Sequence, residues 1–148
     1  MNNKKIKIGI SGLGTVGSGV INLLKNNEKE IFKRSGFEIL IACVSAQDKE
    51  KERDCDIKNF VFYENPIEMV ESEDIDILVE LIGGETTAKE LVIKALENNI
   101  HVVTANKALI ALHGNEISKI SNKNNCDLNY EASVAGAVGL VAGAVSVG

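Results

Sequence analysis

Three glycines near the start of the chain follow a short stretch of alternating apolar residues, Ile6, Ile8 and Ile10. That alternation predicts a β-strand, and the glycines have the spacing G-x-G-x-x-G. Gly12 would allow a tight turn, Gly14 would let the backbone approach a diphosphate, and Gly17 would let the next helix pack closely. The unpaired amides that open this helix would then face the phosphates. The pattern predicts a dinucleotide site, and a purely structural glycine turn is the alternative. The segment reads Gly12-Leu13-Gly14-Thr15-Val16-Gly17.

The polar residues after the second predicted strand bear on the choice between NAD and NADP. In this fold an acidic residue at that strand end binds the ribose 2′-hydroxyl, whereas an arginine accepts a 2′-phosphate. Here the strand is followed by Gln47 and Asp48, and then by the cations Lys49, Lys51 and Arg53. The cations favour NADP slightly, but a solvated loop of mixed charge explains them equally well. The sequence therefore leaves NAD and NADP both open.

Other polar or glycine positions coincide with the ends of later predicted strands. Glu80 is a carboxylate inside an apolar strand, where a charge needs either a hydrogen-bonding partner or a catalytic role. We favour the structural partner over the catalytic role. Gly83 follows that strand, where backbone could approach a cofactor, or where an ordinary turn could lie. Lys107 follows the next strand and could meet phosphate, nicotinamide or substrate, or simply be a surface lysine. His101 and His113 are isolated and read as structural or solvent-facing.

Strand and helix patterns alternate along the chain, which predicts a doubly wound α/β domain with a mostly parallel, Rossmann-type sheet. We expect the second strand to be buried on both faces, and the third helix to begin with a capping box from Thr87 to Glu90. We also expect the last helix to break at His113 and Gly114. The predicted strands are 6–11, 37–44, 60–62, 75–82, 101–104 and 127–131, and the predicted helices are 15–33, 66–71, 87–98 and 108–124.

Composition limits the possible functions. The 148 residues are 45% hydrophobic and 25% charged, as in ordinary globular domains. The net charge of −5 disfavours nucleic acid as a partner, and the Gly, Ala and Val stretch at 132–148 is too short for a membrane span. The chain has no signal-peptide pattern, and Cys43, Cys55 and Cys126 are scattered as free thiols. These features predict a cytoplasmic protein.

Four segments together resemble the nucleotide-binding domain of homoserine dehydrogenase, in order and spacing, over about residues 5–136. The first is the glycine segment already described. The most distinctive parts of the resemblance are the sequences Thr-Ala-Asn-Lys at 104–107 and Tyr-Glu-Ala-Ser-Val at 130–134. The remaining segments are Val79-Glu80-Leu81-Ile82-Gly83-Gly84, His101-Val102-Val103-Thr104-Ala105-Asn106-Lys107-Ala108-Leu109 and Tyr130-Glu131-Ala132-Ser133-Val134-Ala135-Gly136.

The resemblance implies reversible hydride transfer between NADP or NAD and a small-molecule pair, L-homoserine and L-aspartate 4-semialdehyde, in threonine and methionine biosynthesis. It implies that residues 12–17 hold the pyrophosphate and that Gly83 and Thr104 line the nicotinamide side. Lys107 would be the catalytic candidate, at the junction of nicotinamide and substrate. Gln47 stands where bacterial relatives often have an arginine for the 2′-phosphate. A monovalent cation, usually sodium, would be held around Glu131, Val134 and Gly136.

The resemblance ends after Gly136, where the family continues Gly-Ile-Pro and this chain has Ala137, Val138 and Gly139. We therefore divide the chain into a dinucleotide-binding domain at 1–136 and an off-pattern tail at 137–148. The family's substrate-binding and dimer-forming domain would begin after this point. We expect the chain to bind NAD(P)H without oxidising homoserine. The alternative is a non-catalytic NAD(P)-binding module that acts with a partner chain.

Overall fold

The computed structural model describes residues 4–130, which form six strands and five helices. The strands are short and the helices amphipathic, as expected for one sheet covered by helices. In chain order the elements are β1 (Lys4–Ser11), α1 (Thr15–Asn26), α2 (Glu28–Ser35), β2 (Phe37–Ser45), β3 (Val61–Tyr63), α3 (Pro66–Ser72), β4 (Ile77–Glu80), α4 (Thr86–Glu97), β5 (His101–Thr104), α5 (Lys107–Lys123) and β6 (Leu128–Tyr130).

The six strands form one parallel sheet in the order β3-β2-β1-β4-β5-β6. The chain builds outward from β1 to β3, returns to β4 on the other side of β1, and then builds outward again. This is the doubly wound order of dinucleotide-binding folds, so the predicted fold class is confirmed. The reversal between β1 and β4 is the topological switch point of the sheet.

Apolar helix faces cover the two sides of the sheet. Helices α1 and α2 pack on one side, against β-strand residues such as Ile8 and Ile10. Helices α3, α4 and α5 pack on the other side, against Leu78 and Val102. Right-handed crossovers require this arrangement, because the direction in which strands are added reverses at β1. Helices thereby cover the central part of both sides of the sheet, while its carboxyl edge stays open.

Strand β2 differs from the prediction of burial on both faces. Residues 38–42 are only half-buried, whereas Cys43, Val44 and Ser45 are buried. The reason lies in the register, because β3 pairs only with the last three residues of β2. Moreover, no helix connects β2 to β3. The first half of β2 is therefore an edge strand.

The predicted helix at 15–33 is two helices, separated at Asn27. The Asn27 backbone departs from helical values, with φ −111° and ψ 18°. Its side-chain amide donates to the Leu23 carbonyl at 2.8 Å, beside the backbone bond from its own N–H to that oxygen. Asparagine side chains compete in this way with helix backbone bonds. The second of these helices, α2, ends at Gly36, whose left-handed φ of 79° is typical of a helix C-terminus.

Two expectations about helix ends were wrong. The capping box does not form, because α4 begins at Thr86 and Thr87 lies inside its first turn. Helix α5 does not break at His113 and Gly114 but runs unbroken from Lys107 to Lys123. Buried Leu109 and Ile117 anchor α5 on either side of the glycine. This packing outweighs the roughly 1 kcal/mol helix penalty of glycine.

No helix within residues 4–130 is long and apolar enough to cross a membrane. Cys43, Cys55 and Cys126 are free thiols, of which Cys43 and Cys126 are buried. Burial raises the pKa of Cys43 to about 12, so its thiol stays protonated near neutral pH.

Candidate functional site

A cleft of about 790 Å³ opens at the carboxyl edge of the sheet, beside the switch point between β1 and β4. Open parallel sheets bind ligands at this position. Residues from the ends of β1, β2 and β4 contribute to its walls. The lining consists of Gly12, Leu13, Gly14, Ser45, Ala46, Gln47, Asp48, Lys51, Arg53, Glu64, Pro66, Leu81, Ile82, Gly83 and Thr87.

Two of the three motif glycines are required by close backbone packing. Gly12 has a φ of 102°, and a β-carbon there would lie 2.6 Å from the carbonyl of Leu81. A β-carbon on Gly17 would collide with the carbonyl oxygen of Gly12. The turn and the close helix contact predicted for these two glycines are therefore present.

Gly14 is different because a β-carbon there would have no other atom within 4 Å. Its backbone is extended, with a negative φ of −74°, so neither packing nor a left-handed conformation accounts for glycine. Gly14 is exposed and lies in the cleft. The space beside its Cα is where a ligand can approach the backbone.

Helix α1 begins at this point without a side-chain cap. Its first backbone bond runs from the Ser18 N–H to the Gly14 carbonyl at 2.9 Å. The N–H groups of Thr15, Val16 and Gly17 precede that bond and have no helical acceptor. Such a helix start, with its dipole, attracts an anion. The loop and helix start fit the diphosphate of a dinucleotide.

The wall next to β2 carries charges of both signs. Gln47 is exposed in the cleft, together with Asp48, Lys51 and the half-buried Arg53. The Arg53 guanidinium donates from Nη1 to the carbonyls of Lys49 and Lys51 at 3.2 and 3.1 Å, and from Nη2 to the carbonyl of Asp48. Arg53 thus organises this loop, and Lys51 is a cation exposed at its surface.

The wall next to β4 is built on a buried carboxylate. Glu80 ends β4 and has no exposed surface. Its Oε1 accepts a hydrogen bond from Thr104 Oγ1 at 2.7 Å and its Oε2 accepts from the Ile82 N–H at 2.9 Å. Burial raises the pKa of Glu80, while these hydrogen bonds act to lower it. Glu80 therefore has the structural partner that we favoured from the sequence.

Thr104 and Lys107 lie beyond β5. Thr104 is fully buried, with its hydroxyl donated to Glu80. Lys107 is exposed at the first position of α5 and makes no ion pair within residues 4–130. Neither residue lines the cleft next to the glycine loop. Their contacts with nicotinamide and substrate stay predictions.

The cation ligands predicted at Glu131, Val134 and Gly136 lie outside the described residues, as does the tail at 137–148. Within residues 4–130, no group of three or more acidic, histidine or cysteine residues is placed to hold a metal ion.

Both histidines have contacts. His101 Nδ1 accepts a hydrogen bond from the Asp127 N–H at 2.9 Å, which joins the starts of β5 and β6. His113 Nε2 lies 3.9 Å from Glu85 Oε1, between α5 and α4. This second pair was not predicted, because Glu85 precedes α4 and His113 lies within α5, so no local spacing links them.

Sequence reasoning did not assign several residues of the cleft wall to the site, among them Glu64, Pro66 and Thr87. Glu64 and Pro66 follow the short strand β3, and Thr87 lies in the first turn of α4. For Glu64 and Pro66 the available signal was the end of a predicted strand, because carboxyl ends of parallel strands share one edge.

The strand order, the glycine loop and the cleft at the switch point define a dinucleotide-binding domain of the Rossmann type. Residues 12–131 match the family model described as "Homoserine dehydrogenase, NAD binding domain". The chain belongs to this family.

The comparisons with individual proteins agree. The homoserine dehydrogenase of Neisseria gonorrhoeae is 44% identical over 138 residues, which are 93% of this chain and 32% of that protein. A crystal structure of Staphylococcus aureus homoserine dehydrogenase superposes with a TM-score of 0.81 at 34% identity, over 88% of this chain and 33% of that one. A hyperthermophilic archaeal homoserine dehydrogenase in complex with NADPH superposes with a TM-score of 0.71 at 25% identity, over 87% of this chain and 44% of that one. The chain spans about a third of the length of the first two relatives.

Proposed function

We propose that this chain is the nucleotide-binding part of an NAD(P)-dependent homoserine dehydrogenase. The reaction would be reversible hydride transfer between L-homoserine and L-aspartate 4-semialdehyde, in threonine and methionine biosynthesis. The observation that carries the proposal is the empty space beside Gly14 at the uncapped start of α1. Family membership supports the substrate pair. A cytoplasmic location and a sodium ion near residues 131–136 belong to the proposal too.

Each wall of the cleft has a distinct task under this proposal. The amides of Thr15, Val16 and Gly17 bind the diphosphate, and the loop after β2 receives the adenosine half. The loop at 81–84 borders the nicotinamide half, because it lies on the opposite side of β1. The bound nicotinamide supplies the hydride chemistry. Lys107, at the start of α5, would place a cation where nicotinamide and substrate meet.

We infer that the chain accepts both coenzymes. Lys51 and Arg53 line the adenosine side, and Asp48 and Glu64 balance their charge. Arg53 uses its terminal nitrogens on backbone carbonyls, so Lys51 is the cation that can meet a 2′-phosphate. An archaeal homoserine dehydrogenase in complex with NADPH has the same fold.

The test is titration of the purified chain with NADH and NADPH, followed by calorimetry and by the melting temperature. We expect saturable binding of both. The proposal is wrong if neither coenzyme produces heat or a shift in melting temperature.

A second assay separates the enzyme from a non-catalytic binding module. The chain is mixed with candidate partner chains that carry a substrate domain, and homoserine-dependent formation of NAD(P)H is followed. Turnover in such a mixture supports the dehydrogenase, whereas coenzyme binding without turnover in any mixture favours the module.

A further inference from the structure

Glu80 is a buried carboxylate without a cationic partner among the residues that the structure describes. Within residues 4–130 no lysine, arginine or histidine lies within ion-pair distance of it. Both its oxygens are instead held by uncharged donors, Thr104 Oγ1 and the Ile82 N–H. Moving a charge out of water without a counter-ion is unfavourable. Stability alone therefore does not account for a carboxylate at the end of β4.

Thr104, at the end of β5, connects Glu80 of β4 to Asn106 at the start of α5. Its Oγ1 accepts a hydrogen bond from the Asn106 N–H at 3.0 Å while its own proton goes to Glu80. The Asn106 side chain then bonds in two directions. Its Nδ2 donates to the Gly84 carbonyl at 2.5 Å, and its Oδ1 accepts from the Leu109 N–H at 3.0 Å, which caps α5. We call Glu80, Thr104 and Asn106 the carboxylate cluster.

The carboxylate cluster fixes two segments at the open edge of the sheet. One is the loop at 81–84, which is held at Ile82 by Glu80 and at Gly84 by Asn106. Gly83 and Gly84 have left-handed φ values of 75° and 69°, so this loop has an uncommon shape that needs support. The other segment is the first turn of α5, which carries Lys107 directly after Asn106.

The position of the carboxylate cluster identifies the part of a dinucleotide that it serves. The strand order places β4 and β5 on one side of β1, and β2 with the charged loop on the other. If the diphosphate binds at the glycine loop beyond β1, as the proposed function requires, the two halves of the ligand extend in opposite directions from it. The carboxylate cluster lies on the side away from the adenosine.

We propose that Glu80 is a positioning residue: through Thr104 and Asn106 it holds the 81–84 loop and the start of α5 in the shape that receives the nicotinamide half of the coenzyme. This inference rests on the proposed function and adds a residue that touches neither substrate nor coenzyme. The 81–84 loop can contact the nicotinamide in this shape only while Glu80 holds Ile82 and Asn106 holds Gly84.

The test compares two ligands that share the adenosine diphosphate part. NADH carries the nicotinamide and ADP-ribose lacks it, so only a fault on the nicotinamide side separates them. Binding of each to the 148-residue chain is measured by calorimetry, and the nicotinamide fluorescence of bound NADH is recorded. The variants are Glu80→Gln, which puts an amide nitrogen against a donor, and Thr104→Val, which removes the hydroxyl at nearly constant volume.

We expect both variants to bind NADH about tenfold more weakly, the effect of one mismatched buried hydrogen bond, with changed nicotinamide fluorescence. Affinity for ADP-ribose should change by less than about twofold, a difference within the scatter of surface effects. Thr104→Ser, which keeps the hydroxyl, should recover most of the NADH affinity. The matched control is Ser121→Ala, because the buried Ser121 hydroxyl bonds to the Cys126 carbonyl at the far end of α5.

The outcomes are distinct. Equal losses for NADH and ADP-ribose, or no loss for either, would overturn the positioning role while the wild-type titrations still support the proposed function. Wild-type protein that binds neither ligand would overturn both. If Glu80→Gln does not fold, the comparison of Thr104→Val with Thr104→Ser decides.

Discussion

At the scale of single residues, the three motif glycines are present for different reasons. Their substitution should therefore impair different properties, either ligand binding or the stability of the fold. Gly12 and Gly17 are enclosed by protein backbone, whereas Gly14 borders open space in the cleft. A substitution at Gly14 should therefore affect the ligand, and one at Gly17 should affect the fold. The sequence motif alone treats the three positions alike.

We expect Gly14→Ala to leave the melting temperature within a few degrees of wild type, since its backbone is extended with a negative φ. Binding of NADH should weaken at least about tenfold, because the added methyl group takes the space of the diphosphate. Gly17→Ala is the matched control, whose methyl group meets the Gly12 carbonyl and should lower the melting temperature clearly. Calorimetry and thermal denaturation measure both. Normal NADH binding by Gly14→Ala would contradict the diphosphate site.

The buried carboxylate gives a second prediction at the residue scale, on pH. Burial raises the pKa of Glu80 in the folded chain, so the folded state binds this proton more tightly than the unfolded state does. The stability contributed by this group is then fully present below its unfolded pKa and is lost as pH rises through its folded pKa. Relative to Glu80→Gln, the wild-type chain should gain stability as the pH falls from neutral through that window.

Urea denaturation of both proteins at several pH values measures the difference in unfolding free energy. Subtracting the variant removes the titration of the other carboxylates. A difference that stays constant, or that shrinks as pH falls, would show that burial does not raise the pKa of Glu80.

At the scale of elements, the loop after β2 depends on one side chain. Three backbone carbonyls in this loop accept hydrogen bonds from Arg53. Arg53→Lys keeps the charge but loses the planar fork. We expect the amides of residues 48–52 to exchange hydrogen faster, with a global loss of about 1 kcal/mol at most. NADH and NADPH should both bind more weakly, because the loop shape is lost.

Lys51→Ala is the contrasting change, since Lys51 is exposed and its side chain is not needed for the loop. It should weaken NADPH and spare NADH, because only NADPH has the 2′-phosphate. Hydrogen exchange and calorimetry of the two variants separate loop shape from charge. If Lys51→Ala weakened the two coenzymes equally, Lys51 would have no part in reading the 2′-phosphate.

The elements that the sequence predicted well are those set by local patterns. The apolar stretches that became β4, the last four residues of β1 and the last three of β5 are buried on both sides and need no information from distant residues. The helix predicted at 66–71 is present as α3, and Asn65 caps it by accepting at Oδ1 from the Ile67 N–H at 2.9 Å.

What failed depended on contacts between elements. Helix α5 keeps its glycine because α4 packs against it, with Lys89 and Glu116 paired at 3.2 Å. The exposed half of β2 depends on where β3 pairs, which its own sequence does not encode. In the candidate site the glycine loop was predictable, whereas the bonds from Asn106 to the 81–84 loop required the three-dimensional structure.

At the scale of the whole molecule, coenzyme binding and turnover are separate requirements. The described residues form a sheet with a cleft at its carboxyl edge, and relatives such as the Neisseria gonorrhoeae enzyme are about three times as long as the matched region. Hydride transfer also needs groups that orient the aldehyde and manage the proton of its alkoxide. Within residues 4–130 we propose Lys107, which is exposed at the start of α5 and makes no ion pair there, as one such group.

We therefore expect the isolated 148-residue chain to bind NADH and NADPH but to form no reduced coenzyme from homoserine above background. Absorbance of reduced nicotinamide, followed at saturating homoserine and coenzyme, measures this, and an intact homoserine dehydrogenase serves as the positive control. Oxidation at a rate near that of the intact enzyme would mean that residues outside the described part, or a second copy of the chain, complete the substrate site. A Lys107→Ala variant would then separate turnover from coenzyme binding. It should abolish homoserine oxidation while leaving the binding of ADP-ribose unchanged.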